Sequence, residues 1–408
     1  MKILWVKAGG LVPPDTGGKI RSYHILRELA REHSITLFSF YAAHAEDSHS
    51  QLNEIFERVD AIPLDLPAPR SFRELCDYGL TLFTQQPYNI SKYCTPKVQQ
   101  RLQQVLEQES FDAIVCDFVI AAGAIPWEVP TAKILFTHNV ESMIWQRHYQ
   151  VSRNPLWKAL SWREWRTMEA AERKYVSKAD HVLTVSEDDR RFFAECAAAA
   201  KLSVIPTGVD TDYFVPTGTP DTPNSLVFTG SMDWLPNEDG VVHFIEEILP
   251  LVRQEVPEVS LTVVGRRPTS RLKDLAANTA HVHLTGWVED IRPYLSQAAV
   301  VVVPLRIGGG TRLKIFEAMG MGKAIVSTTI GAEGLPVLHD EHLLIADEPA
   351  HFANSTVELL GDAGRRRSLG TTARKLVVGK YSWRIVAEQF AEILVEVVAK
   401  SQRGKRAS

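Results

Sequence analysis

Apolar residues along this chain gather in short, nearly unbroken runs rather than in alternating ones. Ile3–Val6, Ile35–Phe40, Phe111–Cys116, Ala132–Phe136 and Ala179–Ser186 each read as a strand. Leu226–Thr229, Leu261–Val264 and Ala299–Val303, with its four valines, repeat the pattern later. Runs of this kind are buried on both faces, as the strands of a parallel sheet are. Between them the period lengthens to that of helices, at Lys19 to about Arg31, from Glu187, from near Glu238 and over Trp383–Lys400. Residues 44–110 are less regular, with helical signals interrupted by Pro63, Pro67, Pro69, Pro87 and Pro96. Strand and helix alternate in both halves, so each half is expected to be a doubly wound parallel sheet with its ligands at the carboxyl edge.

A chain of 408 residues has room for two such domains, and the Pro- and Thr-rich run Val215–Asn224 marks a boundary between them. The net charge of −4 gives no reason to expect nucleic acid. Cys76, Cys94, Cys116 and Cys196 lack metal-ligand spacing, so reduced thiols and a cytoplasmic location are expected. Lys7 cuts the first apolar run too short for a signal peptide, and no stretch approaches a membrane span.

Candidate chemistry concentrates in Pro304–Leu335. After the valine strand come Gly308, Gly309 and Gly310, then Thr311 as a helix N-cap, with Arg312 and Lys314 in the first turn. Bare backbone N–H groups, a helix N-terminus and two cations together suit a diphosphate. Ile315, Phe316 and Met319 form the helix's apolar face, and Lys314 and Glu317 share the other. Two readings of that pair stay open, a surface ion pair or a phosphate cation beside a ribose-binding carboxylate. The loop Ala8–Gly18, with Gly17 and Gly18 before a helix, is either a second cradle or a plain turn. His138 follows a strand at the edge where such sheets bind ligands, and is either structural or functional. Trp145, Trp157, Trp162 and Trp165 stand among seven basic residues over Ser142–Tyr175. A long core helix with buried tryptophans is preferred there to a membrane-surface segment, because Glu164, Glu169 and Glu172 dilute the charge. Asp210 and Asp212 imitate a metal motif but lie in linker sequence, and no metal site is assigned.

The GGGTRLK segment resembles the donor-binding stretch of family 4 glycosyltransferases of the retaining GT-B class. That resemblance implies two Rossmann-like domains facing each other across a cleft. It puts them at 1–208 on the acceptor side and 209–383 on the nucleotide-sugar side, the crossing falling at Pro206–Asp210. Residues 384–408 become a C-terminal helix returning toward the first domain, with a basic tail, Arg403–Arg406, expected to be disordered. Glu317 would hold the ribose, and Gly17, Gly18, Gly230, Ser231, Gly308, Gly309, Gly310, Thr311 and Leu313 would line the donor. Trp287 and Val288, after Gly286, would face the base. His138 would hydrogen-bond the donor sugar, and Asp15 and Glu141 are acceptor-side candidates, Glu141 with the alternative of capping the next helix.

Two departures from the family pattern matter. Members often carry a second glutamate eight positions before the ribose-binding one, where Gly309 stands here. Many also place an arginine and a lysine near the first helix of the second domain, where this chain has Met232 and Asn237. Arg312 and Lys314 are therefore assigned the leaving-group charge. By resemblance the protein is a metal-independent hexosyltransferase without cofactor. It would move sugar from UDP-glucose or another UDP-sugar to a carbohydrate or lipid-linked saccharide in cell-surface or exopolysaccharide synthesis, with association at the inner membrane face left open. The alternatives are a nucleotide-sugar epimerase of the same fold and a non-catalytic saccharide-binding relative.

Overall fold

Every apolar run named above folds as a strand, and the strands pair in parallel throughout. The structure is a computed structural model that describes residues 1–43, 48–68, 71–152, 154–307 and 313–407. It divides into two units, Met1–Pro206 with Val386–Ser408, and Thr207–Ile385, so the divisions fall two residues from the expected boundaries.

In the first unit the strands are β1 (Lys2–Ala8), β2 (Ser34–Ala42), β3 (Arg58–Leu64), β4 (Ala113–Asp117), β5 (Ala132–Phe136), β6 (His181–Thr184) and β7 (Leu202–Val204). Their order is β3-β2-β1-β4-β5-β6-β7. Trp5 of β1 lies opposite Leu37 on one side and Val115 on the other. The helices are α1 (Gly17–Leu29), α2 (Phe72–Thr81), α3 (Tyr88–Tyr93), α4 (Pro96–Gln108), α5 (Glu141–Val151), α6 (Pro155–Lys178) and α7 (Glu187–Phe193). Ser186 caps α7 as expected, accepting from the Asp189 N–H.

In the second unit β8 (Ser225–Thr229), β9 (Ser260–Val264), β10 (Val282–Gly286), β11 (Val300–Val303), β12 (Ala324–Ser327) and β13 (Leu344–Ile345) take the order β10-β9-β8-β11-β12-β13. Its helices are α8 (Leu235–His243), α9 (Leu249–Glu255), α10 (Ser270–Ala277), α11 (Arg292–Gln297), α12 (Leu313–Gly320), α13 (Pro349–Gly361) and α14 (Ala363–Lys380). A final helix, α15 (Trp383–Ala407), begins in this unit, and from Val386 onward it belongs to the first. Both sheets reverse direction of winding at one place, between β1 and β4 and between β8 and β11, and such switch points open a crevice at the carboxyl ends.

Three readings of the sequence are corrected. The irregular region 44–110 contains a strand, β3, and three helices. Its strand was hidden because it is an edge strand carrying Pro63, which a central position would not tolerate. The tryptophan-rich region is not one core helix but α5 and α6, broken before Asn154, which caps α6 ahead of Pro155. None of its four tryptophans is buried, and Trp157 and Trp162 are 44% and 51% exposed. The helical period instead turns Ser161, Glu164, Met168, Ala171, Glu172 and Tyr175 inward. The basic tail is helical through Ala407.

Val386, Phe390, Leu394 and Val397 form the buried stripe of α15. The Phe390 ring lies 5.4 Å from that of Trp5 and 5.3 Å from that of Phe136. Phe390→Ala is expected to cost the first unit about 3–5 kcal/mol, read as faster amide exchange in β1 and β5 and a lower urea midpoint.

Candidate functional site

At the first switch point the carboxyl ends of β1, β4 and β5 gather charged groups away from water. Asp117 ends β4 and is 1% exposed. Its Oδ2 accepts from the Trp5 indole N–H at 2.7 Å and from Lys7 Nζ at 3.1 Å, and its Oδ1 lies 2.6 Å from His138 Nε2. Burial pushes the carboxyl up, but Lys7 and His138 outweigh it and hold Asp117 well below its ordinary value. Lys7 also donates to Ser22 Oγ at 3.1 Å, and Ser22 donates to the Gly18 carbonyl at 2.9 Å.

Arg21 Nη1 lies 3.0 Å from His138 Nδ1. A guanidinium only donates, so Nδ1 accepts and the ring proton sits on Nε2, donated to Asp117. Burial lowers the His138 pKa to about 4, more than Asp117 raises it, so the ring is neutral at ordinary pH. Burial likewise draws Arg21 down to about 10, which leaves it charged. Both ring nitrogens are thus engaged. A hydrogen bond from His138 to a sugar requires the exchange of one of these partners. The ring also rests on the turn itself, since a Cβ at Gly18 would meet its Cδ2 at 3.6 Å. Gly17 opens α1, and Asp15 pairs with Lys19 at 3.2 Å near the surface.

Glu141 opens α5 but does not cap it. Glu172, from α6, does so instead: its Oε1 accepts from the Glu141 N–H at 2.7 Å. Burial pushes both carboxyls up to about 7. Lys7, Arg21, Ser22 and Asp117 were not singled out from the sequence. A lysine and an aspartate ending otherwise apolar strands were the available signal.

The second switch point is built differently. Thr229 ends β8 and Gly230 follows with φ +153°, a conformation that favours glycine. A Cβ there would lie 2.9 Å from Lys314 Nζ and 2.8 Å from Asn237 Nδ2. Asn237, on α8, donates to the Ser231 carbonyl at 2.9 Å and accepts from Lys314 at 2.7 Å. Lys314 Nζ also stands 4.0 Å over the ring of Phe228. The asparagine found in place of a cation therefore aims the cation of α12. Met232 is buried.

On α12, Ile315, Phe316 and Met319 are buried, and Lys314 and Glu317 lie half-buried on the other face. Burial pushes Glu317 up to about 7 against the pull of Lys314. No described residue donates a hydrogen bond to its carboxylate. Leu313 is the first residue of α12. Gly308, Gly309, Gly310, Thr311 and Arg312 lie outside the described residues. Trp287 is 73% exposed beside Gly286 and Val288, so it is no core residue. Arg266, after β9, donates Nε to Ser231 Oγ at 3.1 Å. Its Nη groups donate to no described residue, which adds a cation that the sequence reading overlooked. Asp210 caps a turn, accepting from the N–H groups of Asp212 and Tyr213 at 3.2 and 3.0 Å.

Comparison with known proteins agrees with this architecture. A family model described as Glycosyltransferase Family 4 matches residues 16–213, and one described as Glycosyl transferases group 1 matches 223–362. The chain is a glycosyltransferase. It is 21% identical over 295 residues to an uncharacterized 44.6 kDa protein in the cps region of Klebsiella pneumoniae, covering 70% of this chain and 74% of that protein. It is 28% identical over 240 residues to a phosphatidyl-myo-inositol mannosyltransferase of Mycobacterium tuberculosis, covering 55% of this chain and 62% of that enzyme. Its fold matches Anabaena HepE, solved in complex with UDP-glucose, with TM-score 0.65 and 16% identity over 97% of this chain and all of that one.

The neutral His138 generates a prediction. Its ring should remain the Nε2–H tautomer down to near pH 4, visible in ¹⁵N chemical shifts. An unfolded chain protonates this histidine near 6.5, so the unfolded state binds more protons between about pH 4 and 6.5. Stability is lost as pH falls through that window, by about 3 kcal/mol in all. Glu141 and Glu172 slope the other way from 4.5 to 7, so the measurement is the stability difference between wild type and His138→Gln, which should fall by about 3 kcal/mol from pH 6.5 to pH 4 and stays flat if the ring titrates normally.

Proposed function

We propose that this glycosyltransferase moves a hexosyl group from a UDP-sugar, UDP-glucose first, to a carbohydrate or lipid-linked saccharide. Anomeric configuration is retained and no metal takes part. The observation that carries the reading is Lys314, held by Asn237 against Gly230 at the second switch point, with Glu317 one helical turn further on. A fixed ammonium beside a bare glycine backbone suits a diphosphate, and a half-buried carboxylate suits the two hydroxyls of a ribose. HepE, with its bound UDP-glucose, supports the uridine donor. The mannosyltransferase relative supports a lipid-linked acceptor, and also a second reading in which the sugar is mannose. The relative in the cps region supports a role in surface polysaccharide.

In this reading the acceptor oxygen attacks from the face that the diphosphate leaves, and the departing phosphate takes its proton. The protein supplies charge rather than a nucleophile. Lys314 and Arg312, with Arg266, stabilise the negative charge that grows on the leaving oxygen. His138, neutral and locked between Arg21 and Asp117, keeps the Gly17–Gly18 turn in place.

Calorimetric titration with UDP-glucose, UDP, GDP and GDP-mannose, with and without chelator, is the primary test. Chelator-insensitive binding of a UDP-sugar is expected; binding of GDP-mannose alone moves the mannosyl reading to first place, and no nucleotide binding overturns both. Ribose hydroxyls favour ionised Glu317, so binding expels its proton below about pH 7. UDP-glucose affinity should then rise up to about tenfold per pH unit from 5.5 to 7 and level off above, while Glu317→Gln should flatten the profile. Arg266→Ala is expected to lower kcat about 10- to 100-fold with little change in uridine affinity. Equal loss in both would make Arg266 a base-side or structural residue.

A further inference from the structure

Helix α2 buries none of its residues. Phe72 is 81% exposed, and Leu75 and Leu80 stand out beside it, followed by Leu82 and by Phe83 at 92%. At the start of α6, Leu156 is 82% exposed next to Trp157 and Trp162. What fastens these two segments together is polar. The Tyr78 hydroxyl and the Tyr88 N–H both donate to the Glu164 carboxylate at 3.0 Å, and Arg163 pairs with the same carboxylate. Arg163 also donates to the carbonyls of Thr81, Thr84 and Gln86. The polar bonds therefore face inward and the large apolar side chains outward, the inverse of an ordinary soluble surface.

Between α2, α3, α5 and α6 runs a groove of about 540 Å³, lined by Phe72, Leu75, Tyr88, Trp145, Trp157 and Leu160. It lies wholly within the first unit. Glu164 at its wall is neutralised by Arg163 and its donors. Lys92 opens into the same groove, half-buried over the rings of Tyr88 and Tyr93 at 5.2 and 5.4 Å. No ion pair joins it to a described carboxylate; Glu74 lines the same groove and its field reaches the ammonium, so the phosphate must seat on the side of Lys92 away from it. Lys158, on the adjoining turn of α6, likewise rests on an aromatic ring rather than a carboxylate, 5.2 Å from Tyr149. An apolar slot with a cation along its wall and amphipathic indoles at its rim complements a chain that is hydrocarbon along its length and anionic at its head.

We propose that this groove seats the hydrocarbon chain of a phosphate-bearing lipid, with the phosphate at Lys92. Where the transfer proposed above uses a lipid-linked acceptor, the groove holds that acceptor's anchor; its occupancy does not depend on the donor site.

The test uses the full chain with octyl and decyl phosphate below their critical micelle concentrations, and decyltrimethylammonium as the cationic counterpart. Calorimetry is expected to show binding about fourfold tighter per added methylene, with decyl phosphate preferred over the ammonium. Leu75→Glu and Trp157→Asp change exposed positions and should weaken decyl phosphate at least tenfold, and Lys92→Met should remove the headgroup preference. Affinity that ignores chain length, or is unchanged by Leu75→Glu, overturns the proposal. So does a dimer in sedimentation that Leu75→Glu dissociates without any alkyl binding, which would make a second copy the occupant. UDP-glucose titration of the same samples separates the two ideas. Lost nucleotide binding with intact decyl phosphate binding refutes the donor reading and leaves the groove standing.

Discussion

An ionised carboxylate withdrawn from water must be paired or it neutralises, and at the end of β4 that requirement dictates much of the first unit. Asp117 draws an indole N–H and an ammonium from β1 and an imidazole from beyond β5. The imidazole in turn needs a donor for its other nitrogen and takes one from α1. Four elements are thereby fixed to one buried anion, and the Gly17–Gly18 turn is fixed with them because the ring lies against Gly18. Removing one member leaves its partners buried and unsatisfied, so the network behaves as a unit.

The second unit solves the same problem of holding charge at a switch point with a lighter device. One asparagine bridges a backbone carbonyl and an ammonium, and glycine at 230 leaves the space in which that ammonium stands. Gly265 serves the same turn from the neighbouring strand, where a Cβ would fall 1.7 Å from the Gly230 carbonyl oxygen. Such close backbone approach holds the ends of β8 and β9 together, and α12 reaches the same turn through the Lys314 side chain.

Both sheets were legible in the sequence because strands buried on two faces leave unbroken apolar runs. The edge strand β3 left none, since one of its sides pairs with no described strand and Arg58, Asp60 and Pro63 interrupt it. Helix α12 was legible down to its two faces, while the glycine loop before it lies outside the described residues. The Asp117 network was not legible, because its bonded partners are separated by up to 117 positions and each alone looks like an ordinary residue. The tryptophans misled for a different reason. Indole is a core residue by default, and only the register of α6 shows that the inward positions go to Ser161, Glu164 and Met168.

Helix α15 has a consequence for the order in which the protein comes into being. Its buried stripe supplies Phe390 to the space between Trp5 and Phe136, yet the whole second unit is translated before it. Domains fold as they leave the ribosome, so the second unit completes its core while the first still shows an open apolar face along β1 and β5. The nascent chain carries that unfinished surface until helix α15 emerges, and exposed apolar surface of this kind is what makes an incompletely folded chain prone to aggregate.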